Sequence, residues 1–256
     1  MRGWKTASLA LAGGVAAALI AGGTAQGGPF NLGDELFGHK QAKLPLVGVY
    51  RDSGDNDPPF IIDRSSPSIV LLRFGDSQEV WLLTPHPASR GDVIYKNDIG
   101  EAMLRATRLG GLTVFTPDRP EGTPAAYVSE APPMRLAPTP NFPTFVLRME
   151  VAQARASRAL QHGIVFDAHD QSPDSLPVFL DAANVTADAV VVVAKRPDGK
   201  RLLARLVRVS FAPGHRPGVT LTNGVLEVVV TGKANSVAAV VAGRPSSRWI
   251  ELALEQ

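Results

Sequence analysis

From Leu46 to Pro117 the chain alternates short apolar runs with turn-forming residues. The runs LVGVY, FIID, SIVLLRF, EVWLLT, DVIYK, AMLRATRL and LTVFT are separated by DSGDNDPP, RSSP, GDS, PHPASRG, NDIG and GG. Apolar runs of this length, bounded by turn chemistry roughly every eight to twelve residues, predict an antiparallel β meander. Gly110-Gly111 predicts a two-residue hairpin turn, because both central positions then take positive φ. Asn97 to Gly100 predicts a second turn. Phe60 to Pro85 also aligns without gaps on Asp92 to Pro117 at an offset of 32, matching Ile62, Leu72, Arg73, Thr84 and Pro85 to Ile94, Leu104, Arg105, Thr116 and Pro117. Any two meanders share much of this pattern. As a true repeat it would pair two three-stranded units about a pseudo-two-fold axis into a small barrel or sandwich.

The pattern then changes. Pro117 to Pro143 holds eight prolines in 27 residues, which removes backbone donors and favours extended chain, so 118–143 reads as a Pro-rich linker. Beyond it the apolar period becomes helical. Thr144 reads as an N-cap, and Phe145, Met149, Ala152, Ala156, Ala159 and Leu160 recur at helix spacing up to Gly163. IVFDA reads as a strand, and the Ser-Pro positions at 172–177 open another helix. Thr186 reads as the cap of a third helix through Ala194, although the Val190 to Val193 run favours strand. VRVSFAP, GVTLTN and VLEVVVTG read as strands with a turn at Asn223-Gly224, and Pro245-Ser246-Ser247 opens a short terminal helix. Strands and helices mix without clean βαβ alternation, so the chain is expected to be α+β. Its β domain is assigned to 46–117 and its mixed α+β domain to 144–256.

The N-terminus carries an address. Arg2 and Lys5 precede an apolar run from Ala7 to Ile20, and small residues lead to Ala25. That is the arrangement of a secretory signal peptide over 1–25, cleaved after Ala25. The run is shorter than the ~18–20 residues of a spanning helix, and no later run is as long. Residues 26–45 read as a flexible arm with an apolar patch at Phe30, Leu32, Leu36 and Phe37. Periplasmic or secreted localisation follows as the expectation.

Composition narrows the partners. There is no cysteine, which excludes disulfides, thiolate metal sites, cysteine nucleophiles and a lipid-anchored N-terminus. Arg2 and Lys5 belong to the signal, and no acid precedes Asp34. The remainder therefore carries as many basic as acidic residues, 24 of each. Balanced charge argues against nucleic acid as a partner.

The phrases GDVIYKNDIG (91–100), LRATRLGGLTVFTPDRPEGTPAA (104–126) and AGRPSS (242–247), with the signal peptide and the length, resemble an uncharacterised family of secreted alphaproteobacterial proteins, a domain of unknown function. The resemblance implies a periplasmic address. It implies no activity, cofactor or catalytic residue.

Candidate chemistry is sparse. No nucleophile elbow, S-x-x-K, P-loop, G-x-G-x-x-G or zinc signature occurs, so no cofactor and no metal is expected. Asp52, Asp55 and Asp57 offer oxygens, but Gly54 falls too early for a calcium loop and a turn accounts for the segment. The candidates for catalysis are His162, Asp167 and His169, with Asp170 beside them. A helix-end histidine, favourable to the helix dipole, and a polar loop are the simpler account of them. Glu79, Glu101 and Glu121 are nominal carboxylates, the first two read as solvent-facing strand positions. Lys195, Arg196, Lys200, Arg201 and Arg205, followed by Arg208, form a basic cluster suited to anions. Arg148, Arg155 and Arg158 line one side of the first helix. Trp81 and Trp249 read as core anchors. The function expected is non-catalytic binding of an envelope protein or polymer through the β half. The alternative is an envelope hydrolase acting on cell-wall or lipid material, which requires His162, Asp167 and His169 to converge.

Overall fold

Eight antiparallel strands close into a barrel in simple up-and-down order: β1 (Val47–Asp52), β2 (Phe60–Asp63), β3 (Val70–Phe74), β4 (Trp81–Pro87), β5 (Val93–Lys96), β6 (Ala102–Ala106), β7 (Leu112–Thr116) and β8 (Arg119–Glu130). The structure is a computed structural model and describes residues 46–54, 58–66, 68–75 and 77–256. The expected signal peptide and arm, with Asp55 and Asp57, lie outside the described residues. Closure by β8 against both β1 and β7 leaves no open sheet edge. Tyr50, Phe60, Ile62, Leu72, Leu83 and Leu104 fill the barrel core.

The offset of 32 seen in the sequence maps β3 onto β6 residue for residue, and it brings the starts of β2 and β4 to within one residue of β5 and β7. Leu72 and Leu104, equivalent under that offset, are both fully buried. The turns differ from expectation at Gly110-Gly111. Thr107 N–H donates to the Gly111 carbonyl (2.8 Å), and Gly110 N–H donates to the Thr107 carbonyl (3.0 Å). The loop is thus three residues, and of the two glycines only Gly110 (φ 88°) takes the left-handed conformation. Asn97, Gly100 (φ 84°) and Glu101 repeat the same hydrogen bonds, the three-residue hairpin built on a left-handed third position.

The proline-rich stretch is only partly a connection, because β8 occupies 119–130. Pro124 lacks a donor but its carbonyl accepts from Ser53 N–H (3.0 Å). Gly122 (φ 82°) lets the strand pass Phe115 and Thr113, whose side chains would lie 2.6 Å from any added Cβ. Ladder irregularities at Val114/Thr116 and Val49/Tyr50 let this long strand serve two neighbours.

The C-terminal half contains α1 (Phe142–Leu160), β9 (Val165–Ala168), α2 (Leu176–Ala194), α3 (Gly199–Leu203), β10 (Arg208–Pro213), β11 (Gly218–Thr222), β12 (Val225–Val230), α4 (Val237–Ala242) and α5 (Ser247–Leu254). Strands β9, β10 and β12 run parallel, and β11 is an antiparallel edge, in the order β11-β12-β10-β9. The chain is α+β. Its N-cap on α1 is Asn141, whose side chain accepts from Thr144 N–H (2.9 Å), rather than Thr144 itself.

Helix α2 is the centre of the second core. Ala182, Ala183, Ala187 and Ala189 are fully buried, and such small residues allow neighbouring helices to approach closely. Thr186 caps nothing. It sits mid-helix, buried, and its hydroxyl donates to the Ala182 carbonyl (2.7 Å), which satisfies a polar group that the core would otherwise strand. Val190 to Val193 stay helical because burial on several sides outweighs their strand preference. Against the expectation that no later segment could span a bilayer, Pro173–Ala194 is long and apolar enough to cross a membrane, but 67% of its apolar 18-residue window is buried inside the protein. Sequence reading also missed α4, a single short turn-and-a-half.

Candidate functional site

At one rim of the barrel odd-numbered strands end and even-numbered strands begin. The β3–β4 link delivers Glu79 there, and the β5–β6 turn delivers Asp98 and Glu101. The α4–α5 connection faces this rim with Arg244, Pro245, Ser246 and Ser247. Arg244 is 1% exposed. Its Nε donates to Asp181 Oδ2 (2.7 Å), Nη1 to Glu79 Oε1 (3.2 Å) and Nη2 to the Val80 carbonyl (2.9 Å). Burial works against its charge, but Asp181 and Glu79 outweigh burial and raise its pKa. Glu79 also accepts from Ser247 N–H (3.0 Å) and Ser247 Oγ (2.5 Å). Asp98 accepts from Ser246 N–H (2.7 Å), while Ser246 Oγ caps Trp249 N–H (3.2 Å). Two barrel carboxylates thus satisfy the free donors at the start of α5, where helices leave N–H groups unpaired. Glu79 is therefore a buried junction residue, not the solvent-facing strand residue expected. Ion pairing with Arg244 and capping of α5 make its burial tolerable.

Beside this junction a cleft of about 720 Å³ opens between the rim and the helices. Phe74, Trp81, Met103 and Phe115 form its barrel wall, and Val192 of α2 stands opposite. Asp188 lies one turn before Val192. Arg248 and Glu251 lie one turn apart on α5, so each pair shares a helix face. Four carboxylates line the cleft: Glu79, Glu101, Asp188 and Glu251. Each is backed by an arginine. Glu101 accepts from Arg248 Nε (3.1 Å), and Glu251 accepts from Arg196 Nη2 (2.6 Å) and Arg248 Nη1 (3.4 Å). Asp188 has Arg155 Nη1 at 3.3 Å. Burial raises the Asp188 carboxyl, Arg155 opposes the shift, and Asp181 adds to it. Burial raises Glu251 against Arg196 and Arg248. Burial likewise raises Glu79 against Arg244 and Ser247. The cleft thus offers apolar walls and a band of hydrogen-bond acceptors, of which Glu79, Asp188 and Glu251 are costly to keep charged.

The residues singled out from sequence are distributed differently. Asp167 receives Arg208 Nη1 (2.5 Å) and has His169 Nε2 at 3.6 Å, so these two meet. His162 does not join them. Its Nε2 pairs with the Leu206 carbonyl (2.8 Å) before β10, while His169 follows the far end of β9. The basic cluster is divided. Arg196 turns to Glu251 and Glu255, Lys200 donates to Gln161 (2.9 Å), and Arg201 lies 3.9 Å from Asp198. Lys195 ends α2, and Arg205 is exposed. Arg155 points to α2. Trp81 is half-buried against the barrel core and also walls a cavity, whereas Trp249 is a half-buried cavity wall rather than a core anchor. Among the described residues no group of three or more His, Asp or Glu is placed to share a metal ion.

Asp188, Arg244 and Glu251 carried no motif. The available signal was the phrase AGRPSS, since it holds the buried arginine and both serines of the junction. No curated protein sequence matches the chain, and no solved structure does. The family model described as "Domain of unknown function (DUF4908)" matches residues 33–254, and the chain, with its barrel, junction and α+β half all inside that span, belongs to this family.

Proposed function

We propose that the protein is a non-catalytic binding module of the bacterial envelope, and that the rim cleft takes an amphiphile with an apolar body and a hydrogen-bond-donating head such as an amine. The carrying observation is the cleft itself. Its volume lies within the ~300–1,000 Å³ of small-molecule sites, and barrel mouths are a recurrent place for them. Phe74, Trp81, Met103 and Phe115 would cover the apolar body. Asp188, with one ion pair at 3.3 Å, would accept from the head, whose positive charge offsets the burial that disfavours the carboxylate. The arginine-backed carboxylates serve as fixed walls in this reading. The secretory pattern of residues 1–25 supports the envelope address, and the β half supplies most of the wall.

The test is titration of the full chain with N-phenyl-1-naphthylamine, followed by competition with dodecylamine and dodecanoate. The expected result is saturable fluorescence, displaced by dodecylamine at lower concentration than by dodecanoate. Val192 is 44% exposed, so Val192→Trp can fill the cleft from the surface without disturbing a core. Equal binding by wild type and Val192→Trp, or no saturable signal, would overturn the proposal.

A further inference from the structure

Behind the junction lies a second cavity of about 350 Å³. Trp81 borders both spaces, and the Glu79–Arg244–Ser247 cluster stands between them. Trp81, Leu82 and Asp98 form its barrel side. Arg216, Val241 and Trp249 form its C-terminal side.

Its polar groups are unevenly used. Arg244 spends its donors on Asp181, Glu79 and backbone carbonyls. Asp98 Oδ2 accepts from Ser246 N–H, and Oδ1 has no hydrogen-bond partner among the described residues. Neither indole N–H has an acceptor among the described residues, and neither is sealed from solvent. Arg216 is exposed, with no carboxylate beside it among the described residues. The cavity is therefore lined by two indoles, by Asp98 with one carboxylate oxygen to spare and by Arg216, whose guanidinium has no carboxylate partner among the described residues.

We propose that this pocket is a separate binding site for an acidic pyranose, a sugar ring carrying a carboxylate. A pyranose has an apolar C–H face that packs on indole, and hydroxyls that both donate and accept. Asp98 Oδ1 accepts from a hydroxyl, and the indole N–H groups donate to ring substituents. Arg216 takes the carboxylate with two parallel N–H donors. The volume is at the small end of ligand sites, room for a monosaccharide or disaccharide and too little for a lipid. The site does not depend on the cleft.

The experiment is saturation-transfer NMR and calorimetry of the full chain with glucuronate, glucose and a short oligogalacturonide. Saturable binding of glucuronate, stronger than that of glucose, is expected. Arg216→Gln, at an exposed position, should weaken glucuronate roughly tenfold or more without changing the melting temperature. Trp249→Phe keeps apolar volume and loses the donor, so it should weaken binding several-fold. Val192→Trp should leave sugar binding unchanged, which separates failure here from failure of the cleft. A preference for the oligomer would identify a polymer as the source. Equal affinity per ring would identify free sugar. Glucose binding as tightly as glucuronate, or glucuronate binding indifferent to Arg216→Gln, would overturn the proposal.

Discussion

Arg244 Nη1 reaches Glu79 Oε1 at 3.2 Å across 165 positions of sequence, and both side chains are almost wholly buried. The pair joins the barrel rim to the start of α5. Neither partner could be buried alone, because an isolated charge in the interior costs several kcal/mol. Packing of the two halves at this point therefore depends on both residues.

Replacing Arg244 by Met leaves Glu79 buried without its cation and removes the main partner of Asp181. The expected loss is about 3–5 kcal/mol, read as a shift of the urea midpoint. Arg244→Met combined with Glu79→Gln should lose clearly less than the sum of the single changes, since the second substitution removes the stranded charge. Strict additivity would mean that the two residues act independently.

Asp188 gives a pH signature. Burial holds its folded pKa above the unfolded value of about 3.9. Between those two values the folded state binds more protons than the unfolded state. Stability from this group is therefore fully present below the unfolded value and is lost as pH rises through the raised folded value. Glu79 and Glu251, also raised by burial, act in the same direction. Asp188→Asn should flatten the decline, so its stability relative to wild type improves from pH 4 to pH 7. Urea midpoints at four pH values test this. A difference that stays constant with pH would contradict it.

The legible part of this fold is the part written in local pattern. Runs of alternating residues with Gly and Asn between them located seven strands of the barrel, and the 3.6 period of Phe145, Met149, Ala152 and Ala156 located α1. β8 was hidden because its closure is enforced by pairing with β1, more than sixty residues away, while its prolines signal a connection. Thr186 was misread because a buried threonine in a helix satisfies its hydroxyl against its own backbone, which no pattern distinguishes from a cap. The cleft was not legible at all. Glu79 lies in the β3–β4 link, Asp188 on α2 and Glu251 on α5, and only the docking of α2 and α5 on the barrel rim gives them a common surface.

The start of α1 separates sequence expectation from structure by experiment. Asn141 supplies the oxygen that caps Thr144 N–H, while Thr144 lies inside the helix. Asn141→Ala should cost about 1 kcal/mol, the usual value of a lost N-cap, and Thr144→Ala should change stability by less than about 0.5 kcal/mol. Thermal unfolding of the two variants decides it. The reverse order of effects would place the cap at Thr144.

Gly122 tests how β8 closes the barrel. Its φ of 82° already disfavours an L side chain, and an added Cβ would fall 2.6 Å from Phe115 Cε1 and from Thr113 Cγ2. Gly110 shares the first constraint with φ 88°, but its Cβ would meet open space. Comparing the two isolates packing from backbone strain. Gly110→Ala should cost about 1–2 kcal/mol, the penalty of a left-handed residue. Gly122→Ala should cost that plus a clash term of about 1–3 kcal/mol, since Phe115 must leave its rotamer or β8 must move off β7. Phe115 also lines the cleft. Gly122→Ala should therefore weaken binding of N-phenyl-1-naphthylamine, whereas Gly110→Ala leaves it unchanged. Equal stability losses in the two variants would show that β8 has room to shift and that its bend at Gly122 is not fixed by packing on β7.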